Sequence, residues 1–97
     1  MDGYVVAKQL IRSATATAAN YRAACRSRSP AEFASRVSVV SEEADESMFW
    51  LDLTVAAGIQ ADGEAKRLLG EASELTAIFT RSRETAKRRL RGLGRPP

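Results

Sequence analysis

Four carboxylates fall within five residues, Glu42-Glu43-Asp45-Glu46, and such a cluster could hold a hard divalent cation through oxygen. A di-metal bundle site would need Glu-x-x-His as well, and the chain has no histidine. No EF-hand spacing is present either. The spacing instead favours pairing between helices, with these carboxylates opposite Arg12, Arg22 or Arg26. Cys25 is the one cysteine, with Arg22, Arg26 and Arg28 close in sequence. Positive neighbours could lower its pKa and make it reactive. With no base beside it, a small core or boundary residue is the better reading. Without histidine, the Ser-His and Cys-His nucleophile arrangements also fall away. No glycine-rich phosphate loop, nucleophile elbow or metal-ligand spacing occurs. The expectation is a protein that is not an enzyme, with no cofactor and no metal.

The remaining chemistry is electrostatic. Residues 81–97 carry Arg81, Arg83, Lys87, Arg88, Arg89, Arg91 and Arg95 against Glu84 alone. One or two cations would satisfy the negative end of a helix dipole. Seven in such a short span point to phosphate, so nucleic acid enters as a partner through Arg81, Arg83, Lys87, Arg88, Arg89 and Arg91. The segment has no aromatic residue among its arginines, so any binding should be electrostatic and weakly selective. The formal charge of +3 conceals this partition. Residues 37–80 hold nine carboxylates against Lys66 and Arg67, while residues 1–36 hold six cations against Asp2 and Glu32.

Three helices must position these groups. Ser29-Pro30-Ala31-Glu32 has the form of a capping box with proline at the first helical position, so one helix starts at Pro30. Upstream, Tyr4, Ala7, Ile11, Ala14, Ala18, Tyr21 and Cys25 are spaced by threes and fours, which predicts a helix over 3–26. The small Ala14 and Ala18 would let a neighbouring helix approach closely. Phe33, Val37, Val40, Ala44, Ser47, Leu51 and Val55 repeat the pattern over 30–57. Gly58 supplies the left-handed stop and Ile59 the accompanying apolar contact. The end of this helix is apolar most of the way round, through Met48, Phe49, Trp50, Leu51, Leu53 and Val55. A helix apolar on all sides is buried on all sides, which makes Phe49, Trp50 and Leu53 candidate subunit-interface residues. Asp62 is a candidate N-cap for a third helix over 63–91, with Ala65, Leu68, Ala72, Leu75, Phe79, Ser82 and Ala86 as its stripe. A basic tail follows over 92–97. Short connections make successive helices antiparallel neighbours.

Ninety-seven residues, 44% of them apolar and 28% charged, describe a single folded domain over 1–97. No strand signal is seen, so the fold class is all-α, an up-down antiparallel bundle of three long helices. No signal peptide or membrane span is visible. With the unpaired Cys25, this places the chain in the cytoplasm.

Gln9-Leu10-Ile11-Arg12-Ser13-Ala14-Thr15, then Ala18-Ala19-Asn20-Tyr21-Arg22 and Ala24-Cys25-Arg26-Ser27-Arg28-Ser29, resemble the signature of the bacterial four helix bundle protein family. Glu32-Phe33, Glu43-Ala44-Asp45-Glu46-Ser47, Trp50-Leu51, Leu53 and Ala57-Gly58 continue the likeness, as do Glu71-Ala72, Glu74-Leu75 and Thr85-Ala86-Lys87. The resemblance spans roughly residues 9–90. The family includes proteins encoded by intervening sequences within 23S ribosomal RNA genes, with the accessory variability determinant of diversity-generating retroelements as a distant member. The resemblance implies a left-handed bundle assembled as a homopentamer. For the retroelement relative it also implies a basic surface that binds nucleic acid and a reverse transcriptase. The family pattern has a further helix ahead of Gln9, so the expected subunit is a four-helix bundle whose first helix is missing or shortened: either the start is truncated, or a three-helix subunit covers its exposed face by oligomerising. It also has Glu-Ala where this chain has Ala23-Ala24, which removes a carboxylate from the expected polar network of Arg12, Asn20, Glu43 and Glu46. Within that network, Arg12 should pair with Glu43 or Glu46.

The leading expectation is therefore a homo-oligomeric helical scaffold that binds nucleic acid through basic helix ends. The alternative is a structural or protein-interaction module with no nucleic-acid role and an unidentified protein partner.

Overall fold

Ser29 stands in extended backbone and its hydroxyl accepts the Glu32 amide at 3.1 Å, with Pro30 directly after it. The returning half of the box is shifted by one residue, because the Glu32 carboxylate accepts from the Arg28 amide at 3.2 Å. At the other end, Gly58 takes φ 66°. The Gly58 amide reaches the Val55 carbonyl at 3.2 Å and the Ile59 amide reaches Thr54, also at 3.2 Å. These are the two bonds of a Schellman motif. They delimit α2, Pro30–Ala56.

The computed structural model describes residues 3–59 and 63–93. Those residues form three helices and no strand: α1 Gly3–Ala24, α2 Pro30–Ala56 and α3 Glu64–Leu93. The first helix stops short of Arg26 because the Arg26 and Ser27 amides bond three residues back, to Ala23 and Ala24, tightening the final turn. The third runs through Gly92, which costs a helix about 1 kcal/mol relative to alanine without breaking it. Gly63, at φ 80°, offers its carbonyl to the Arg67 amide and opens α3. Asp62, the expected cap, lies outside the described residues, as do Arg95 and the prolines at 96 and 97.

The helices form a bundle in which α2 packs against both α1 and α3. No Cα of α1 comes within 8 Å of one in α3. Ser13 meets Ser47, Arg12 meets Glu46, and the Arg36 guanidinium donates to the Ala23 carbonyl at 3.2 Å. That last bond is a second one to the Ala23 carbonyl, which already accepts the Arg26 amide at 3.1 Å, and it ties α2 to the end of α1. On the other side Ser41 lies opposite Thr80, and Ala34 clusters with Ala86. The side chains buried here are mostly small: Val6, Ala24, Ala34, Val37, Val40, Ala44, Leu51, Ala65 and Ala86. On α2 they follow the expected stripe.

On α1 the expected stripe is present but turned away. Tyr4, Ala7, Ile11, Ala14, Ala18, Tyr21 and Cys25 are all exposed, and Val6, Ser13 and Ala24 face α2 instead. Cys25 is therefore not a core residue. The cause is chain geometry: α2 touches α1 along one edge, and α3 meets α1 at Tyr21 but comes no closer than 8 Å between Cα atoms, which leaves the rest uncovered. An apolar groove stays open between α1 and α3. Leu10, Ala14 and Thr17 form one wall, Leu68, Leu75 and Phe79 the other, and Ala44, Ser47 and Leu51 the floor. Tyr21 and Phe79 close it at one end, their ring centroids 5.6 Å apart.

The α1–α2 seam is polar at its centre. The Ser47 hydroxyl lies 2.9 Å from that of Ser13 and 3.1 Å from the Glu43 carbonyl, and Ser13 lies 3.2 Å from the Leu10 carbonyl. Each hydroxyl thus keeps a local acceptor if the other is removed. Ser13→Ala and Ser47→Ala should each cost up to about 1 kcal/mol in urea titrations. The double variant should cost less than their sum, because the shared bond is lost only once.

Candidate nucleic-acid interface

The last turns of α3 carry the basic residues. Their polypeptide stays helical to Leu93, so at about 100° per residue Arg81, Lys87, Arg88 and Arg91 share a sector of about 120°, with Arg89 about 80° beyond Arg81. Arg81, Lys87, Arg88, Arg89 and Arg91 are exposed. None of the five forms an ion pair among the described residues. Arg83 differs: it is half-buried, its Nε is enclosed without a hydrogen-bond partner, and its terminal nitrogen lies 3.4 Å from Glu84. The fold thus separates Arg83 from the other five.

The α1–α2 turn reaches the same end of the molecule, which is 58 Å long and about 18 Å across. It brings the exposed Arg26 and Arg28 to that end. A wide hollow of about 1010 Å³ opens there, with Phe33, Cys25 and Ile78 in its lining and Arg81 and Arg89 among the polar members. Phe33 is an aromatic ring near the arginines that linear order does not reveal. It is 48 residues away from Arg81 in sequence and is brought there by the packing of α2 against α3.

Phe49 is 57% exposed on α2, while Trp50 and Leu53 are half-buried. A single chain therefore does not bury this end of α2 on every side. Phe49 and Trp50 meet edge to face, with centroids 5.0 Å apart, a favourable aromatic geometry. Of the expected polar network, the structure joins three members. Arg12 pairs with Glu46 and lies 3.5 Å from Glu43, and the Trp50 Nε1 donates to Glu46 at 3.4 Å. Asn20 stands apart, its amide donating to the Ala16 carbonyl at 2.8 Å.

The Arg12 guanidinium, helped by the Trp50 N–H, holds the Glu46 carboxyl below the usual value of 4.5. A depressed carboxyl contributes stability above its unfolded pKa and loses it as pH falls through the folded one. Wild type should therefore melt higher than Arg12→Ala at neutral pH. The difference should shrink below about pH 4.5, and salt should reduce it because the pair is exposed. Thermal melts across a pH series read this directly.

Among the described residues, no group of three or more His, Cys, Asp or Glu side chains converges as metal ligands would. No helix there is long and apolar enough to cross a membrane. Compared with known proteins, the chain matches no family model, no curated protein sequence and no solved structure.

Proposed function

We propose that this protein is a non-enzymatic, homo-oligomeric helical scaffold that binds nucleic acid electrostatically through the basic end of the bundle. The observation that carries the reading is the set of five exposed cations on the last turns of α3 that form no ion pair among the described residues, with Arg26 and Arg28 of the α1–α2 turn at the same end. Phosphate binding needs cations that are not already neutralised, and these are free to release counterions from a polyanion. Four of the five share one side of α3, which suits contact along a phosphate backbone, a contact that positions the protein without reading base edges. The small-residue core and the open groove support self-association, since a lone chain leaves much apolar surface in water.

The finer features belong to the same reading. The helices run up-down and antiparallel, as the pairing of Ser13 with Ser47 and of Ser41 with Thr80 suggests. Membership of the bacterial four helix bundle family, a pentameric ring and a cytoplasmic location are carried by the sequence resemblance and composition. In a ring the arginines of several subunits add, giving avidity without new contacts.

The exposed Phe49 favours a second reading, a structural or protein-interaction module with no nucleic-acid role. Light scattering for subunit number, followed by binding to random DNA and RNA across a salt series, separates the two. The scaffold should assemble, and its affinity for duplex DNA should fall steeply with salt, with a log–log slope of about −0.9 per phosphate contacted. Failure to bind at low salt leaves the interaction module.

A further inference from the structure

Two exposed apolar faces lie on different sides of this chain. One is the outer face of α1, about 200° of helix from the buried Ser13, where Ile11 is 64% exposed. The other is the back of α2 around Phe49, which is two residues, and so about 200° of helix, from Leu51 and Ser47 on the groove floor. Two copies joined through the same face would still leave the other face of each in water. Contact between unlike faces covers both.

Charge favours the unlike pairing. From Gly3 to Ala24, α1 has no acidic residue; its cations are Lys8, Arg12 and Arg22. After Arg36, α2 has no basic one, and Glu42, Asp45 and Asp52 are exposed on it. Lys8 and Asp52 take part in no ion pair among the described residues, although Lys66 shares a hollow with Asp52. Two α1 faces together would set cation against cation.

Register supplies the third argument. Within the chain Ser13 is level with Ser47, so a residue of α1 sits level with the α2 residue whose number completes the same sum. By that rule Lys8 is level with Asp52 and Ile11 with Phe49. Any assembly that keeps the helix axes parallel and adds no shift along them preserves those levels between neighbouring chains.

We propose that copies associate head to tail, the α1 face around Ile11 of one chain seated on the α2 back around Phe49 of the next, with Lys8 against Asp52. This interface rests on the homo-oligomeric reading above and specifies its surfaces. Such a junction is heterologous and repeats until it closes into a ring or extends as a filament.

Sedimentation velocity with circular dichroism as the folding control tests it. Ile11→Glu and Phe49→Glu each change a residue that is mostly in water, so helicity should be kept while assembly is lost. Mixed together, the two variants should form dimers and nothing larger, because only one junction between them is intact. Lys8→Glu and Asp52→Lys should each weaken assembly by about tenfold, and the double charge reversal should restore it. If either Glu variant assembles like wild type, or if the mixture stays monomeric, the head-to-tail interface is overturned while the oligomeric scaffold stands. A wild-type protein that is monomeric at all concentrations overturns both.

Discussion

Val40→Asp should abolish folding. Val40 is fully enclosed in the α2 seam, at 0% exposure, and the buried neighbours on its helix are alanine, valine, leucine and small hydroxyl residues. A carboxylate there loses its hydration without a partner, at a cost of several kcal/mol even if it is protonated. The total stability of a domain this size is only about 5–15 kcal/mol, and a core of alanines and valines supports the lower end. Far-UV circular dichroism of Val40→Asp should therefore show loss of most helix at room temperature. Val40→Ala, which removes two methyl groups, should cost about 2 kcal/mol and leave a folded protein with a lowered Tm. The neighbouring Val39 is 39% exposed, and Val39→Asp should stay folded. A core centred elsewhere would reverse the order of Val39 and Val40.

The second large effect concerns binding. Replacing Arg81, Lys87, Arg88, Arg89 and Arg91 together with glutamine preserves helix propensity and removes the five exposed cations at the end of α3. Affinity for random duplex DNA at moderate salt should fall by about a thousandfold or more, and the salt slope should become much shallower, keeping the part that Arg26 and Arg28 contribute. Arg83→Gln should change little, because Arg83 is half-buried beside Glu84. Filter binding or fluorescence anisotropy over a salt series resolves both. A quintuple variant with an unchanged slope would place phosphate binding elsewhere on the molecule.

Local signals were legible in this sequence because they act over a few residues. The Ser29-Pro30 start and the Gly58-Ile59 stop of α2 reflect backbone groups that must be satisfied within one turn, and both helix ends fall where those residues stand. Periodicity also located the helices, and on α2 it identified the buried side. On α1 the same periodicity marked Ile11, Ala14 and Ala18 as packing positions, yet in the single chain they face water. A spacing of threes and fours shows that a helix has an apolar side and does not show what covers it. Cys25 was misjudged for the same reason. The separation of Arg83 from the other cations, and the arrival of Phe33 near Arg81 and Arg89, depend on how α2 packs against α3. Neither can be read from neighbours in sequence.

The packing order has a consequence for motion. Because α2 packs along both other helices, while α1 and α3 share the Tyr21–Phe79 ring contact but no Cα pair within 8 Å, detaching α1 leaves the α2–α3 seam intact, and detaching α3 leaves α1–α2. Each outer helix can open as its own unit, whereas α2 is released only when both seams are gone. The amides slowest to exchange with deuterium therefore belong to α2, around Val37 and Val40, and those of α1 and α3 exchange through cheaper, separate openings. Anything that bridges the groove couples those two openings into one.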